Sequence, residues 1–367
     1  MDRIEAVKQY KREGDFVSAV QLLYQMIEET EAESRQFESN VESWPYWQLA
    51  ILHRKLKETE SEVAILERFA RQKQSGSKQS HKLMERLVKA YERAGQIEYR
   101  EIDGVRTPFH SGQPIEQLDL FTSFGLVVDT ETTGRTQQDE LIEIALILFK
   151  FSKISGKILE IVDEYSGFRY PGCKIHPQAK RKHGLTPQHL KGQTLDDERV
   201  MGLFDQADSV LAHNAGFDRR YITQLYPSLY WKNWYCSMNG VPWQNLGFES
   251  KGQDALLEAH NIDVGRSHRA INDAKGLLQL VALENKDLGG TYFQAITLNS
   301  PLAWNESPSK LNRERSSRIP IKIEIKKSTP SRDGRKQVKK STSQGWLVPG
   351  LFILACSLCS LVVYLGR

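Results

Sequence analysis

Five acidic or imidazole side chains in the second half of the chain can bind a cation or transfer a proton. Asp129 and Glu131 lie two residues apart at the end of an apolar run. Asp218 follows a second apolar run, and His268 precedes Asp273 at the start of an amphipathic segment. Carboxylates suit Mg²⁺ and Mn²⁺, and an ordinary histidine accepts a proton near neutral pH. These residue types favour chemistry assisted by a divalent cation.

The spacing of Asp129 and Glu131 places both carboxylates on one face of a strand, because residues two apart in a strand project to the same side. The run Val127-Val128 before them predicts that strand. Two adjacent carboxylates repel each other, and a bound divalent cation would remove that conflict. Taken alone, Asp129 could equally be a turn residue or a helix cap.

The other two segments are ambiguous when each is read by itself. Asp218 falls in the first turn of a predicted helix, where an acid is also favoured by the helix dipole. Asp273 lies on a predicted amphipathic helix, and His268 stands just before it, where a histidine is often an ordinary capping or surface residue. Whether these residues are catalytic or structural can be judged only from the order and context of all three segments together.

The elements around these segments predict a mixed α/β sheet with helices on its faces. Three apolar runs of strand length, at 124–129, 141–151 and 158–165, come first. A strand at 209–213 then alternates with helices at 197–206, 217–225, 253–260 and 270–283. Consecutive strands followed by alternating helices and strands are typical of such a sheet.

The rest of the chain divides into segments of different character. Residues 1–100 show helical periodicity that weakly resembles tetratricopeptide repeats, and an unrelated helical bundle fits equally well. A protein partner is a natural ligand for such a domain. Residues 101–120 are a polar connection, 121–285 form the α/β domain, and 286–345 are predicted to be a disordered linker.

The three segments together resemble the DEDD superfamily of 3′→5′ exonucleases, in its histidine subclass, which includes the proofreading exonuclease domain of DNA polymerase III. They read D-T-E-T-T-G from Asp129, H-N-A-G-F-D from His213 and H-R-A-I-N-D from His268. The segments Ile175-His176-Pro177 and His183-Gly184-Leu185-Thr186 resemble the connection between the first two motifs. The resemblance covers residues 121–285 and implies a ribonuclease-H-like fold.

The resemblance implies removal of nucleoside monophosphates from the 3′ end, with single-stranded DNA favoured over RNA. It assigns two divalent ions, Mg²⁺ or Mn²⁺, to Asp129, Glu131, Asp218 and Asp273, and the general base to His268. Thr130, Thr132 and Asn214 are expected to contact the terminal nucleotide. The alternatives are an RNA 3′→5′ exonuclease and a membrane-tethered scaffold whose nuclease fold binds nucleic acid without cleaving it.

Charge is distributed unevenly along the chain. The formal net charge is +4, but residues 310–340 alone carry twelve Lys or Arg and three Asp or Glu. The body of the protein is therefore mildly acidic, so that nucleic acid must be bound through local patches and cations. The run Lys180-Arg181-Lys182 is either such a patch or a solvated surface turn.

Residues 346–365 form an uncharged apolar stretch of the length that spans a bilayer. Basic residues precede this stretch and only Arg367 follows it. The positive-inside rule then predicts a single-pass C-terminal membrane anchor, with the catalytic domain facing the cytoplasm.

Overall fold

The computed structural model describes residues 2–37, 39–74, 77–265 and 267–303. Five helices, each packed against the next in sequence, form the N-terminal domain. The first helix ends at Gly14, whose φ of 81° is the left-handed conformation that glycine adopts readily. The helices are α1 (Arg3–Glu13), α2 (Phe16–Phe37), α3 (Ser43–Lys55), α4 (Thr59–Ala70) and α5 (Lys78–Arg93).

A buried ion-pair cluster joins α4 to α5. The Glu62 side chain is 1% exposed, and its two carboxylate oxygens face two arginines of α5. Arg86 Nη2 lies 2.7 Å from Glu62 Oε1, and Arg93 Nη2 donates to Glu62 Oε2 at 2.8 Å. Both oxygens of this carboxylate are therefore satisfied by positive charge, as burial of a charge requires.

A small antiparallel sheet follows the helices, in the segment predicted as a polar connection. Its strands are β1 (Glu98–Ile102), β2 (Val105–His110) and β3 (Gln113–Pro114), and two short 3₁₀ helices, Ile115–Gln117 and Asp119–Phe121, come next. Asp103 and Gly104 have φ values of 49° and 76° and turn β1 into β2. This Asp-Gly pair is a sequence signal for a hairpin.

The predicted mixed sheet is confirmed, and it has five strands in the order β6-β5-β4-β7-β8. The pairs β4–β5 and β5–β6 are antiparallel, whereas β4–β7 and β7–β8 are parallel. The short β8 was not predicted. The strands are β4 (Thr122–Thr132), β5 (Leu141–Ser152), β6 (Ile158–Phe168), β7 (Ser209–Ala212) and β8 (Trp234–Cys236).

Helices cover both faces of this sheet. Alternate residues of β4 and β5 face opposite sides, so that Val127 packs with α12 and Val128 packs with α8 and α9. The helices are α6 (Pro177–His183), α7 (Pro187–Leu190), α8 (Asp197–Gln206), α9 (Ala215–Leu225), α10 (Ser237–Gly240), α11 (Gln253–Ala259) and α12 (Ala270–Ala282), with a 3₁₀ helix at Pro227–Trp231.

The described residues after α12 fold onto the α/β domain, although the composition placed those from 286 onward in the linker. Strands β9 (Glu284–Asn285) and β10 (Gly290–Thr291) form a small hairpin, and α13 (Tyr292–Thr297) follows. Phe293 of α13 is fully buried and makes edge-to-face contacts with Phe149 and Phe151 of β5. Aromatic burial against the sheet explains why this polar-flanked segment is ordered.

The predicted membrane anchor requires correction. In the part of the chain that the structure describes, no helix combines the length and apolarity needed to cross a membrane. The longest, α2, has 22 residues but carries four glutamates, and charged groups are costly inside a bilayer. Residues 346–365 lie outside the described residues. The fold class is corrected to the α/β domain with the helical N-terminal domain, and the transmembrane helix and the single-pass membrane localisation are withdrawn.

Candidate active site

The first two acids lie at the carboxyl end of the central strand. Strand β4 places Asp129 opposite Ala145 and Glu131 opposite Glu143 of β5. The register of this ladder shifts between Glu131 and Thr132, so regular pairing ends directly after the second acid. The parallel neighbour β7 ends on the same side of the sheet, which brings the following segment close to both carboxylates.

Asp218 enters the site from the helix that follows β7. It lies in the first turn of α9 and is 5% exposed. Thr130 of β4 donates a hydrogen bond from Oγ1 to Asp218 Oδ1 at 2.7 Å. Asn214 is the residue just before α9, and its side chain makes no capping hydrogen bond. The Thr130 contact therefore ties the second motif to the first.

His268 and Asp273 come from the start of α12. His268 has a φ of 61°, a left-handed conformation that is uncommon for a residue with a side chain. Its backbone N–H donates to Asp273 Oδ2 at 3.0 Å. One ligand atom each of Glu131, His268 and Asp273 lies within 4.8 Å of the others. His268 and Asp273 of the third motif therefore lie close to Glu131 of the first.

One cavity of about 1090 Å³ collects the predicted site residues. All five candidate catalytic residues line it, and so do the three residues predicted to contact the nucleotide. The lining residues from the prediction are Asp129, Thr130, Glu131, Thr132, Asn214, Asp218, His268 and Asp273. Residues separated by more than a hundred positions in sequence are therefore neighbours here.

The electrostatics of the cavity oppose ionisation of the acids. Burial, followed by repulsion from Asp218, Asp273 and Glu131, raises the pKa of Asp129 well above its ordinary value. Burial and neighbouring carboxylates raise the pKa of Glu131 to about 8 and that of Asp273 to about 6. Burial raises the pKa of Asp218 to about 7, although hydrogen bonds oppose the shift. Nearby positive charge would stabilise the ionised form of these acids.

Two residues that sequence reasoning missed support the site. Glu143, on β5, is fully buried, and Arg269 Nη2 lies 3.2 Å from its Oε1. Arg269 directly follows His268, so this ion pair anchors the turn that carries the histidine. In the sequence, Glu143 stands out as a charged residue inside the apolar run Leu141–Leu148. Its place beside the site follows only from the register of β4 and β5, which pairs it with Glu131.

His213, the first residue of the second motif, has both ring nitrogens engaged. Nδ1 lies 2.9 Å from Ser237 Oγ, and Nε2 lies 2.7 Å from the Lys251 carbonyl oxygen. Burial lowers the pKa of His213, so that the ring is neutral. These contacts fix the end of β7 and occupy both nitrogens of the His213 ring.

Residues 126–281 match the model of the exonuclease family, RNase T type. This segment is an exonuclease domain of the DEDD superfamily. The predicted superfamily and the ribonuclease-H-like fold are thereby confirmed, whereas the histidine subclass and the similarity to the DNA polymerase III proofreading domain stay predictions. A search of curated protein sequences finds no match to the chain.

Several solved structures are similar to part of the chain. The zinc-bound complex of E. coli exonuclease I with single-stranded DNA is 18% identical, with a TM-score of 0.37 over 44% of this chain and 40% of that one. Exonuclease X in complex with 5′ overhanging duplex DNA is 25% identical, with a TM-score of 0.36 over 47% and 98%. A 3′-exonuclease that recognises a histone mRNA stem-loop is 16% identical, with a TM-score of 0.34 over 43% and 80%.

The chain spans about 40% of the length of exonuclease I. The family assignment applies to residues 126–281, and it leaves the helical N-terminal domain unassigned.

The donor set of the exonuclease domain fits divalent cations, which the family implies. Among the described residues, no salt bridge joins Asp129, Glu131, Asp218 or Asp273 to a lysine or arginine. Four carboxylates without such partners match the oxygen ligands that Mg²⁺ and Mn²⁺ prefer. A bound cation would also offset the burial and the mutual repulsion that raise the pKa values in this cluster.

Proposed function

We propose that the protein is a metal-dependent 3′→5′ exonuclease that releases nucleoside monophosphates, preferring single-stranded DNA to RNA. The observation that carries the proposal is the meeting of Asp129, Glu131, Asp218, His268 and Asp273 in one cavity. A catalytically inactive scaffold would have no need of four mutually repelling acids, whose proximity is unfavourable without a cation.

In this proposal the four acids hold two divalent ions. When bound, such ions polarise the phosphate and stabilise charge on the attacking and leaving oxygens of the phosphodiester. Thr130 fixes Asp218 through its hydrogen bond, and the His268 backbone fixes Asp273. Asp218 and Asp273 are thus held in place before substrate arrives, which lowers the cost of assembling the site.

His268 is the general base of the proposed reaction. Burial, followed by the charge of Lys182, lowers its pKa, while Asp254 opposes the shift. The ring is therefore neutral at neutral pH and can accept a proton from the attacking water. Asp254 Oδ2 lies 4.0 Å from His268 Nε2, where it can stabilise the protonated ring that results.

The preference for single-stranded DNA rests on the resemblance of the three motifs to proofreading domains, and RNA is the second candidate. The full chain is incubated with Mn²⁺ or Mg²⁺ and with 5′-labelled DNA or RNA of one sequence. We expect products that shorten stepwise from the 3′ end, with DNA degraded faster. EDTA and the isosteric variant Asp129→Asn serve as controls.

We expect Asp129→Asn to lower the rate about 1000-fold, as the loss of about 4 kcal/mol of transition-state stabilisation would. Faster degradation of RNA would select the second candidate. The proposal fails if neither polymer is cleaved in either metal, or if hydrolysis survives in the variant.

A further inference from the structure

Three cations stand at the rim of the catalytic cavity. Arg181 and Lys182 belong to α6, and Arg135 belongs to the turn that follows β4. All three line the cavity and are exposed. We call Arg135, Arg181 and Lys182 the basic rim. The same cavity therefore holds the acids of the three motifs and a set of exposed cations.

The short helix α6 is anchored firmly enough to hold its part of this rim in place. The backbone N–H of His176, just before the helix, donates to the Thr133 carbonyl oxygen at 2.7 Å. At the other end, His183 is 1% exposed, and its Nδ1 accepts from the Leu185 backbone at 2.9 Å. The helix is thus fixed to the end of β4, next to the acids.

Most of α6 lines the cavity, and its two exceptions are Pro177 and Lys180. Arg181 and Lys182 lie three and four residues after Gln178, and all three line the cavity together with Ala179 and His183. Lys180 is on the same helix and equally exposed, but it does not line the cavity. The helix therefore directs two of its three consecutive cations to the site.

These rim cations are not committed to other parts of the protein. Within the described ranges, no salt bridge connects Arg135, Arg181 or Lys182 to a carboxylate, although Arg169 and Arg199 nearby in sequence are paired. Lys182 also acts on the site at a distance, because its charge opposes the rise in the pKa of Glu131 and of Asp273. The rim is available to an anionic ligand.

We propose that the basic rim binds backbone phosphates of the nucleic-acid strand other than the phosphate that is cleaved. This inference rests on the proposed exonuclease function and specifies how the substrate is held. The cations of the metal centre would neutralise the cleaved phosphate, whereas the next phosphates of the strand need a separate source of positive charge. Contacts to phosphate are independent of sequence and suit an enzyme that must move along any strand.

Binding to a single strand tests the proposal without requiring cleavage. The full chain is titrated with a fluorescein-labelled oligonucleotide in Ca²⁺, and the variants are Arg181→Ala/Lys182→Ala and the matched control Lys180→Ala. We expect the double variant to weaken binding about 10- to 100-fold. The slope of log K against log[salt] should fall by about 1.4, since each phosphate contact to a single strand contributes about 0.7. Lys180→Ala should bind like the parent.

Hydrolysis then separates the cleaved phosphate from the others. The p-nitrophenyl ester of thymidine 5′-monophosphate contains one phosphodiester and no further strand, so the loss of kcat/KM in the double variant should be about tenfold greater for the oligonucleotide. Equal losses on both substrates would place the rim at the cleaved phosphate and overturn the proposal. Unchanged binding and salt slope, or an equal loss in Lys180→Ala, would also overturn it. A parent protein that binds but hydrolyses neither substrate would refute the exonuclease proposal alone.

Discussion

Buried glutamates in the helical domain and acids in the exonuclease domain differ in what surrounds them. Glu31 of α2 is 6% exposed and accepts hydrogen bonds from Arg68 and from the Tyr46 hydroxyl, at 2.7 to 2.9 Å. Burial alone would raise its pKa, but these partners lower it below the ordinary value. Glu62 faces two arginines in the same way. In contrast, Asp129 and its neighbours face one another.

A buried carboxylate is therefore structural in one domain, and we propose that it is catalytic in the other. A buried carboxylate with arginine partners is complete in the folded protein, and it holds helices together. A cluster of carboxylates with raised pKa values is incomplete, because its charge is stabilised only when a cation or a proton is added. Partner identity, rather than burial, distinguishes the two kinds of acid.

Replacing one acid of each kind by its amide should change the free energy of unfolding most, and the two replacements should differ most from each other. Glu62→Gln leaves Arg86 and Arg93 without their anion, and we expect the free energy of unfolding to fall by about 3–5 kcal/mol. Asp218→Asn keeps an oxygen to accept from Thr130 and removes one repelling charge, so the metal-free protein should be no less stable. Urea denaturation in EDTA measures both, and a destabilised Asp218→Asn protein would contradict the comparison.

The effect of raising the pH on the free energy of unfolding should have opposite signs for the two kinds of acid. Glu131, Asp218 and Asp273 have raised pKa values, so the metal-free protein should lose stability as the pH rises from about 4 to about 8. Glu31, with its lowered pKa, contributes stability that is present above its ordinary pKa and is lost only as the pH falls through the lowered value.

Mn²⁺ at about 100 times its Kd should restore about 2.7 kcal/mol at pH 8. Urea denaturation at pH 5 and pH 8, with and without Mn²⁺, measures these effects. The Asp129→Asn variant should lose most of the gain. An equal gain in the variant would show that the cation binds elsewhere.

The Glu143–Arg269 pair does not fit this division between the domains, because a paired buried acid lies beside the proposed catalytic acids. Arg269→Met removes the partner of a fully buried carboxylate, and we expect a loss of about 1.5–3 kcal/mol in stability. Since Arg269 follows His268, kcat should fall while KM for the oligonucleotide changes little. Arg269→Lys should restore part of the stability. Normal kcat in the methionine variant would show that the pair has no part in positioning His268.

Much of the exonuclease domain could be predicted from sequence because its signals are local. The helix predicted at 197–206 has the observed bounds of α8, and the strand predicted at 141–151 is β5 to within one residue. The three motifs predicted which residues would be brought together, because each motif lies where a strand ends or a helix begins. The roles of those residues stay predictions.

The features that the sequence did not predict depend on contacts between distant residues or on a turn pair within a polar segment. The three-residue β8 exists because it pairs with β7, and nothing local marks it. Helix α13 is ordered by aromatic packing against β5, far away in sequence. The hairpin at Asp103-Gly104 contains a recognisable turn pair, whereas the polarity of its segment predicts only a connection.

The end of regular pairing after Glu131 has a consequence for how this domain can vary in evolution. Insertions between Gln137 and Gln138 lie outside the paired part of β4 and away from Thr133 and Arg135, so they leave Asp129 and Glu131 facing the cavity. A deletion of one residue between Thr122 and Asp129 would instead move both carboxylates to the opposite face of the sheet. Length variation among descendants of this chain should therefore be tolerated on one side of Glu131 and eliminated on the other.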